Sequence, residues 1–386
     1  MQRDPFMPTF GRQPQLFLDR EMLLNDYVTE VLDSGSEINT PYQTTMISGV
    51  RGIGKTVFLS EIEKEFKQLN DWIVVDVRNT NDILKQIISQ LRKKSKLNLT
   101  KLDLQIKRIK TKHLDVEVTN AGIEQAMVLE EILKRLKKKH IKVLIGIDEA
   151  ASTPELQDFA AIYQQLIRQD YNVALLMSGL PEDLKELKHN KVLTFLTRSN
   201  EIELSFLNAN SIERTFIEYF KKGKRKIDVV TAHLMCRMTM GYAYAFQLLG
   251  HLVWKATEVG DTINRETIEK IKDDYQQSLF NKVYKIIYKR LTPTDQSFLQ
   301  AMAKLDKQVV KLKQITNSVR PYHSSNYWSV YRKRLIDFQL ITPVEGPGKM
   351  MFCLPMFGKF LKFENTLDEQ ALQWIDDENE DLSDFL

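Results

Sequence analysis

The sequence predicts an α/β fold with a parallel sheet, followed by an all-α region and a basic helix-turn-helix module that ends in a hairpin. Three observations carry this. Short continuous apolar runs alternate with segments of helical periodicity, the rhythm of a parallel sheet covered on both faces. From Asn208 to about Gln277 the pattern turns helical throughout. From Lys282 to Phe363, 15 Lys/Arg stand against four Asp/Glu, a net of +11.

In chain order, Asp19–Leu32 places apolar residues at helical spacing, and "DSGSEINTPYQ" breaks the run. "TTMISG" (44–49) reads as a short strand feeding a glycine loop. The following "KTVFLSEIEKEFKQL" (55–69) is a helix with Val57, Phe58, Ile62 and Phe66 on one side. "WIVVDV" (72–77) is a buried strand, and "NDILKQIISQLRKK" a capped helix. Residues 95–119 are basic and alternating over "KLDLQIKRIKTKHLDVEVT", which predicts an inserted β-hairpin. A helix near 121–138, a strand at 142–147, a helix at 154–168 and a strand at 172–179 complete the core. The expected domains are a core over 1–207, a helical region over 208–280, a basic module over 281–363 and an acidic tail over 364–386.

Composition narrows the function classes. The chain has 386 residues and a net charge of +4. That small charge conceals an asymmetry, because nine acidic and no basic residues follow Phe363. A compact basic module beside an acidic tail points toward a polyanion partner, with the tail as a competitor for the same surface; a solvated basic face is the alternative. No apolar stretch has the length of a membrane span, and the N-terminus lacks the apolar core of a secretory signal. With two distant cysteines, Cys236 and Cys353, the expected location is cytoplasmic. The six histidines and these cysteines form no metal-ligand spacing.

The chemistry concentrates at the ends of the apolar runs. Gly49-Val-Arg-Gly52-Ile-Gly54-Lys55-Thr56 satisfies GxxxxGK[ST] at every fixed position, between a strand and a helix. Its glycines let backbone N–H groups turn inward, Lys55 reaches the β- and γ-phosphates of ATP, and Thr56 supplies an oxygen to Mg²⁺. "KVLIGIDEA" ends a strand in Asp148-Glu149. The first carboxylate is placed for the Mg²⁺ shell and the second to polarise an attacking water, which makes hydrolysis the expectation. Arg198, in "FLTRSNEIEL", lies just before the next apolar run, at an edge from which a second subunit's nucleotide could be reached. It reads either as an arginine finger of a homo-oligomer or as a surface salt-bridge residue.

With these residues in place the chain resembles the AAA+ P-loop ATPases of the origin-recognition/Cdc-type initiator clade, over about residues 8–363. The marks are "LFLDREMLL" (16–24), "SGVRGIGKT", "LIGIDEA", "MSGLP", "FLTRS" and "MGYAYAFQLLG" (240–250). At the C-terminus they are "LTPTDQSFLQAMAKL" and "SVYRKRLIDFQLI". The resemblance implies an AAA+ core, an all-α lid and a C-terminal winged helix-turn-helix, and it implies that Ser178 senses the γ-phosphate or orients the water. Two positions depart from it. Asp19 stands where the family has Gly, and Tyr242-Ala243-Tyr244 replaces the segment that offers a sensor arginine in many relatives.

The terminal module also has its own pattern. "KLKQITNSV" is a short helix, "RPYHSS" a turn, and "NYWSVYRKRLIDF" a second helix with Trp328, Tyr331, Leu335 and Phe338 spaced to pack inward. Ser325, Asn326, Ser329, Arg332 and Lys333 remain for other faces, and "TPVEGPGKMMF" gives a wing tip with Lys349. These six are the candidate contacts to double-stranded DNA. The other reading is a module that docks protein, as in a nucleotide-dependent signalling or assembly switch of a STAND-like regulator or a defence system.

Overall fold

The computed structural model describes residues 3–9, 16–35, 37–80, 82–95, 120–190, 193–318 and 325–366. These form two compact units, and the boundary between them passes through the glycine loop. The first comprises Phe17–Gly49 and Gly54–Ser205; the second takes Val50–Ile53, Phe206 onward and the described part of Met1–Leu16.

The first unit runs α1 (Glu21–Leu32), β1 (Thr44–Ser48), α2 (Lys55–Lys67), β2 (Trp72–Arg78), α3 (Ile83–Ser95) and α4 (Asn120–Lys137). It continues through β3 (Lys142–Asp148), α5 (Pro154–Arg168), β4 (Val173–Gly179), α6 (Pro181–His189), a 3₁₀ turn (Thr194–Arg198) and β5 (Asn200–Glu203). All strand pairs are parallel, in the order β2-β3-β4-β1-β5. Residues of α3, α4 and α5, among them Ile87, Leu91, Leu129, Ile132 and Phe159, close over Val75, Ile145 and Leu175 to form the main apolar core.

Helix α2 lies on the sheet near Gly146, where an added Cβ would meet Glu63 and Leu59. Its Phe66 ring packs edge-on to Trp72 at 4.6 Å. Local signals set the helix starts: Thr153 caps α5 by accepting from the Leu156 N–H at 3.3 Å, and Pro154 occupies the first turn.

In the second unit, α7 (Ala209–Lys222), α8 (Val229–Thr239), α9 (Ala243–Lys255) and α10 (Arg265–Leu279) form the expected helical region. They are accompanied by a parallel pair, β6 (Lys226–Ile227) and β7 (Thr262–Ile263), too short to leave a periodic signal. Asn208, Asp228 and Asn264 cap α7, α8 and α10. Phe6 is buried beside Phe216, Phe220, Phe246 and Trp254, and Gly250 leaves room for its ring. Asp4 bonds His251 at 2.6 Å, and the Met7 N–H donates to Gln247 at 2.8 Å.

After a π turn (Phe280–Tyr284) come α11 (Lys285–Arg290), α12 (Pro293–Lys304), β8 (Val310–Lys311), α13 (Leu312–Thr316), α14 (Ser325–Asp337), β9 (Ile341–Pro343) and β10 (Lys349–Phe352). The strands are antiparallel in the order β8-β10-β9, and a helix over 357–366 follows. Trp328 and Leu335 are buried as expected. Tyr331 and Phe338 are only half-buried, because both fall on one flank of that inward stripe. The expected hairpin at 95–119, the turn 319–324 and the acidic tail from 367 onward lie outside the described residues. No described helix is long and apolar enough to cross a membrane.

Candidate functional site

A parallel sheet collects strand C-termini at one edge, and the candidate residues sit there because their strands are in register. Ile47 of β1 pairs with Ser178 of β4, and Arg78 of β2 pairs with Asp148 of β3. The chain leaves β1 at Ser48, crosses Gly49–Gly54 and enters α2 directly at Lys55. Gly54 has φ 107° and caps α2 without a side chain, so the first N–H groups of that helix are left for an anion. An L side chain would be strained at that φ.

Lys55 folds back so that its ammonium donates to the Gly49 carbonyl at 2.8 Å. The Thr56 hydroxyl donates to Asp148 Oδ2 at 2.8 Å. On the other side of the same carboxylate, the buried Ser178 hydroxyl and the Glu149 N–H (3.0 Å) donate to Oδ1. Asp148 is thus held between β1–α2 and β4. Glu149 is exposed and left-handed, with φ 54°, so its side chain departs from the strand direction that Asp148 follows.

Asn79, just past β2, was not singled out from the sequence. Its amide donates to the carbonyls of Glu149 (3.3 Å) and Ala151 (3.2 Å), and its Oδ1 accepts from Thr153 (3.1 Å). The available signal was its place, a polar amide directly after a buried strand adjacent to β3.

The donor set fits a Mg²⁺-bound nucleoside triphosphate. Two hard oxygens, Thr56 Oγ1 and Asp148 Oδ2, lie side by side, which is ligand chemistry suited to Mg²⁺. An uncapped helix start, glycines at positive φ and a lysine stand next to them. Among the described residues no cluster of three or more His, Cys, Asp or Glu offers another metal site.

Arg198 ends the 3₁₀ turn before the edge strand β5 and is exposed. Among the described residues it forms no ion pair. No hydrogen bond among the described residues joins it to the Thr56–Asp148–Ser178 group.

Of the terminal candidates, Asn326, Ser329 and Lys333 are exposed on α14 at positions i, i+3 and i+7, one face of a helix, with the 66 % exposed Val330 among them. Arg332 is half-buried; for Ser325 only the backbone is described. Lys349 opens β10 rather than sitting at the turn tip, and its register partner on β8 is Lys311. Like charges directly opposite one another weaken a strand pair, so this pairing concentrates positive charge at a local cost. Behind α14, Arg334 reaches the fully buried Asp295 at 2.7 Å.

The sheet order, with the glycine loop between β1 and α2 and the acidic pair at the end of β3, is the AAA+ P-loop ATPase fold. Solved structures similar to the chain include the Aeropyrum pernix ORC2 protein in ADPNP-ADP complexes, with a TM-score of 0.63 and 13 % identity over 95 % of this chain and 98 % of that one. Another is the Walker-type ATPase PABY2304 of Pyrococcus abyssi, with a TM-score of 0.55 and 14 % identity over 90 % and 96 %. At such identities the likeness establishes the fold. A family described as a domain of unknown function (DUF8462) matches residues 281–361. No curated protein matches the chain.

Proposed function

We propose that the chain binds and hydrolyses ATP at the glycine loop, and that the nucleotide governs how its C-terminal module, a winged helix-turn-helix, engages double-stranded DNA. The observation that carries the ATP reading is the bonding of Thr56 and Ser178 to the two oxygens of Asp148. A bare glycine turn has no need of a carboxylate from β3 fixed at that position.

In this reading Lys55 releases the Gly49 carbonyl to bind the β- and γ-phosphate oxygens. Mg²⁺, when bound, is held by Thr56 and Asp148 and polarises phosphate oxygens. Ser178 keeps the Asp148 carboxylate oriented. Glu149 takes the proton of the attacking water, and Asn79 fixes the backbone from which Glu149 projects. Arg198, exposed at the sheet edge and without an ion pair among the described residues, would act on the nucleotide of a neighbouring copy in a homo-oligomer.

The DNA reading rests on the basic module, the exposed Asn326–Ser329–Lys333 face and the Lys349–Lys311 pairing. A salt titration with a duplex oligonucleotide tests it. Affinity should fall steeply with salt, and charge reversal at Arg332, Lys333 and Lys349 should flatten the slope by about one to three counterions. Absence of binding to any duplex at low salt, with or without ATP, would leave a protein partner as the role of the module.

A further inference from the structure

The crest of the glycine loop, Val50–Ile53, is integrated into the C-terminal unit by residues far away in sequence. The Val50 N–H donates to Gln339 Oε1 at 3.0 Å. The Tyr242 hydroxyl donates to the Arg51 carbonyl. The Tyr244 N–H donates to the Gly52 carbonyl at 3.1 Å. Three consecutive residues of the loop therefore have backbone partners at the start of α9 and in the turn after α14.

Each partner is itself fixed. Gln339 is 9 % exposed and left-handed at φ 57°, and the bonds Gln339 N–H to Ile336 O (2.8 Å) and Leu340 N–H to Leu335 O (3.1 Å) terminate α14 around it. Tyr242 is fully buried, and burial pushes its phenol well above the ordinary value, so it remains a donor. Its hydroxyl occupies the space that a Cβ at residue 52 would need, and Gly52 has φ 80°. The loop and the tyrosine therefore fit only with glycine there.

We propose that Gln339 and Tyr242 are positioning residues for the phosphate loop, holding its crest in the binding-competent conformation by hydrogen bonds where a charged sensor would act on the nucleotide itself. Binding then requires no ordering of the loop, and nucleotide affinity is raised by that preorganisation. Because Gln339 terminates α14, anything that displaces the end of this helix alters nucleotide affinity, and nucleotide alters the helix end by the same factor. This rests on the reading that the loop holds ATP.

The test is calorimetric titration of the full chain with Mg²⁺ and the non-hydrolysable analogue AMP-PNP. Gln339→Met keeps side-chain length and removes the acceptor; Gln339→Glu keeps an acceptor oxygen. The methionine variant should bind about tenfold more weakly than the parent, and the glutamate variant should recover most of that loss, as expected for one buried hydrogen bond. Tyr242→Phe keeps the ring, loses the donor and should weaken binding about fivefold. If Gln339→Met does not fold, Tyr242→Phe decides. Affinities equal to the parent's in Gln339→Met and Tyr242→Phe overturn the inference alone. Failure of the parent to bind the analogue overturns the nucleotide reading, and the inference with it.

Discussion

Thr56 and Asp148 stand 92 residues apart in sequence, and the hydroxyl of the first donates to the carboxylate of the second at 2.8 Å. The contact joins the start of α2 to the end of β3 and brings the two halves of the candidate site to hydrogen-bond distance.

Lys55→Ala should weaken ATP binding by about a hundredfold, since the substitution removes charge-assisted bonds to two phosphate groups. Fluorescence titration with a labelled nucleotide measures this. Unchanged affinity would remove Lys55 from the site.

Glu149→Gln should bind ATP as the parent does and lose turnover by about 10²- to 10⁴-fold, the span of general-base contributions. Phosphate release under single-turnover conditions provides the measure. Hydrolysis at the parent rate assigns the base elsewhere.

Arg198→Ala should leave nucleotide affinity intact and lower hydrolysis. Subunits carrying Arg198→Ala and subunits carrying Lys55→Ala, each impaired alone, should regain part of the activity on mixing, because one supplies the arginine and the other the nucleotide. No gain on mixing would restrict Arg198 to its own chain.

Asp295→Ala should destabilise the C-terminal module by about 3 kcal/mol, because it strips a buried partner from Arg334 and removes the carboxylate that accepts from the Thr292 N–H and hydroxyl at the start of α12. Urea unfolding followed by tryptophan fluorescence would register the change through Trp328, which lies 6.0 Å from Phe298 of α12. An unchanged midpoint would show that the pair contributes nothing net.

Strands β1 to β4 were legible because each is a short apolar run closed by a polar or glycine break, and the loop because its fixed positions are close together. Asp148 and Glu149 were legible for the same reason. β5, Asn-Glu-Ile-Glu, has no such run and was not legible as a strand. Asn79 was hidden because its contribution is made through main-chain carbonyls of residues 70 and 72 positions away, which no local pattern records. Gln339 was hidden in the same way: a glutamine after a helix reads as a solvated end until the fold brings Val50 to it. Tyr242 was noticed only for lacking a charge, and its hydroxyl proved to have a partner in the loop.

The strand order has a consequence for synthesis. Among the described residues β1 pairs with β4 and β5 and with no strand nearer in sequence, so the strand that launches the glycine loop lacks its described neighbours until residue 173 has been made. At roughly 5–20 residues per second, the growing chain waits on the order of ten seconds with β1 lacking those neighbours. Such non-local closure slows folding, and an apolar segment left open for that interval is a natural client for a chaperone at the ribosome.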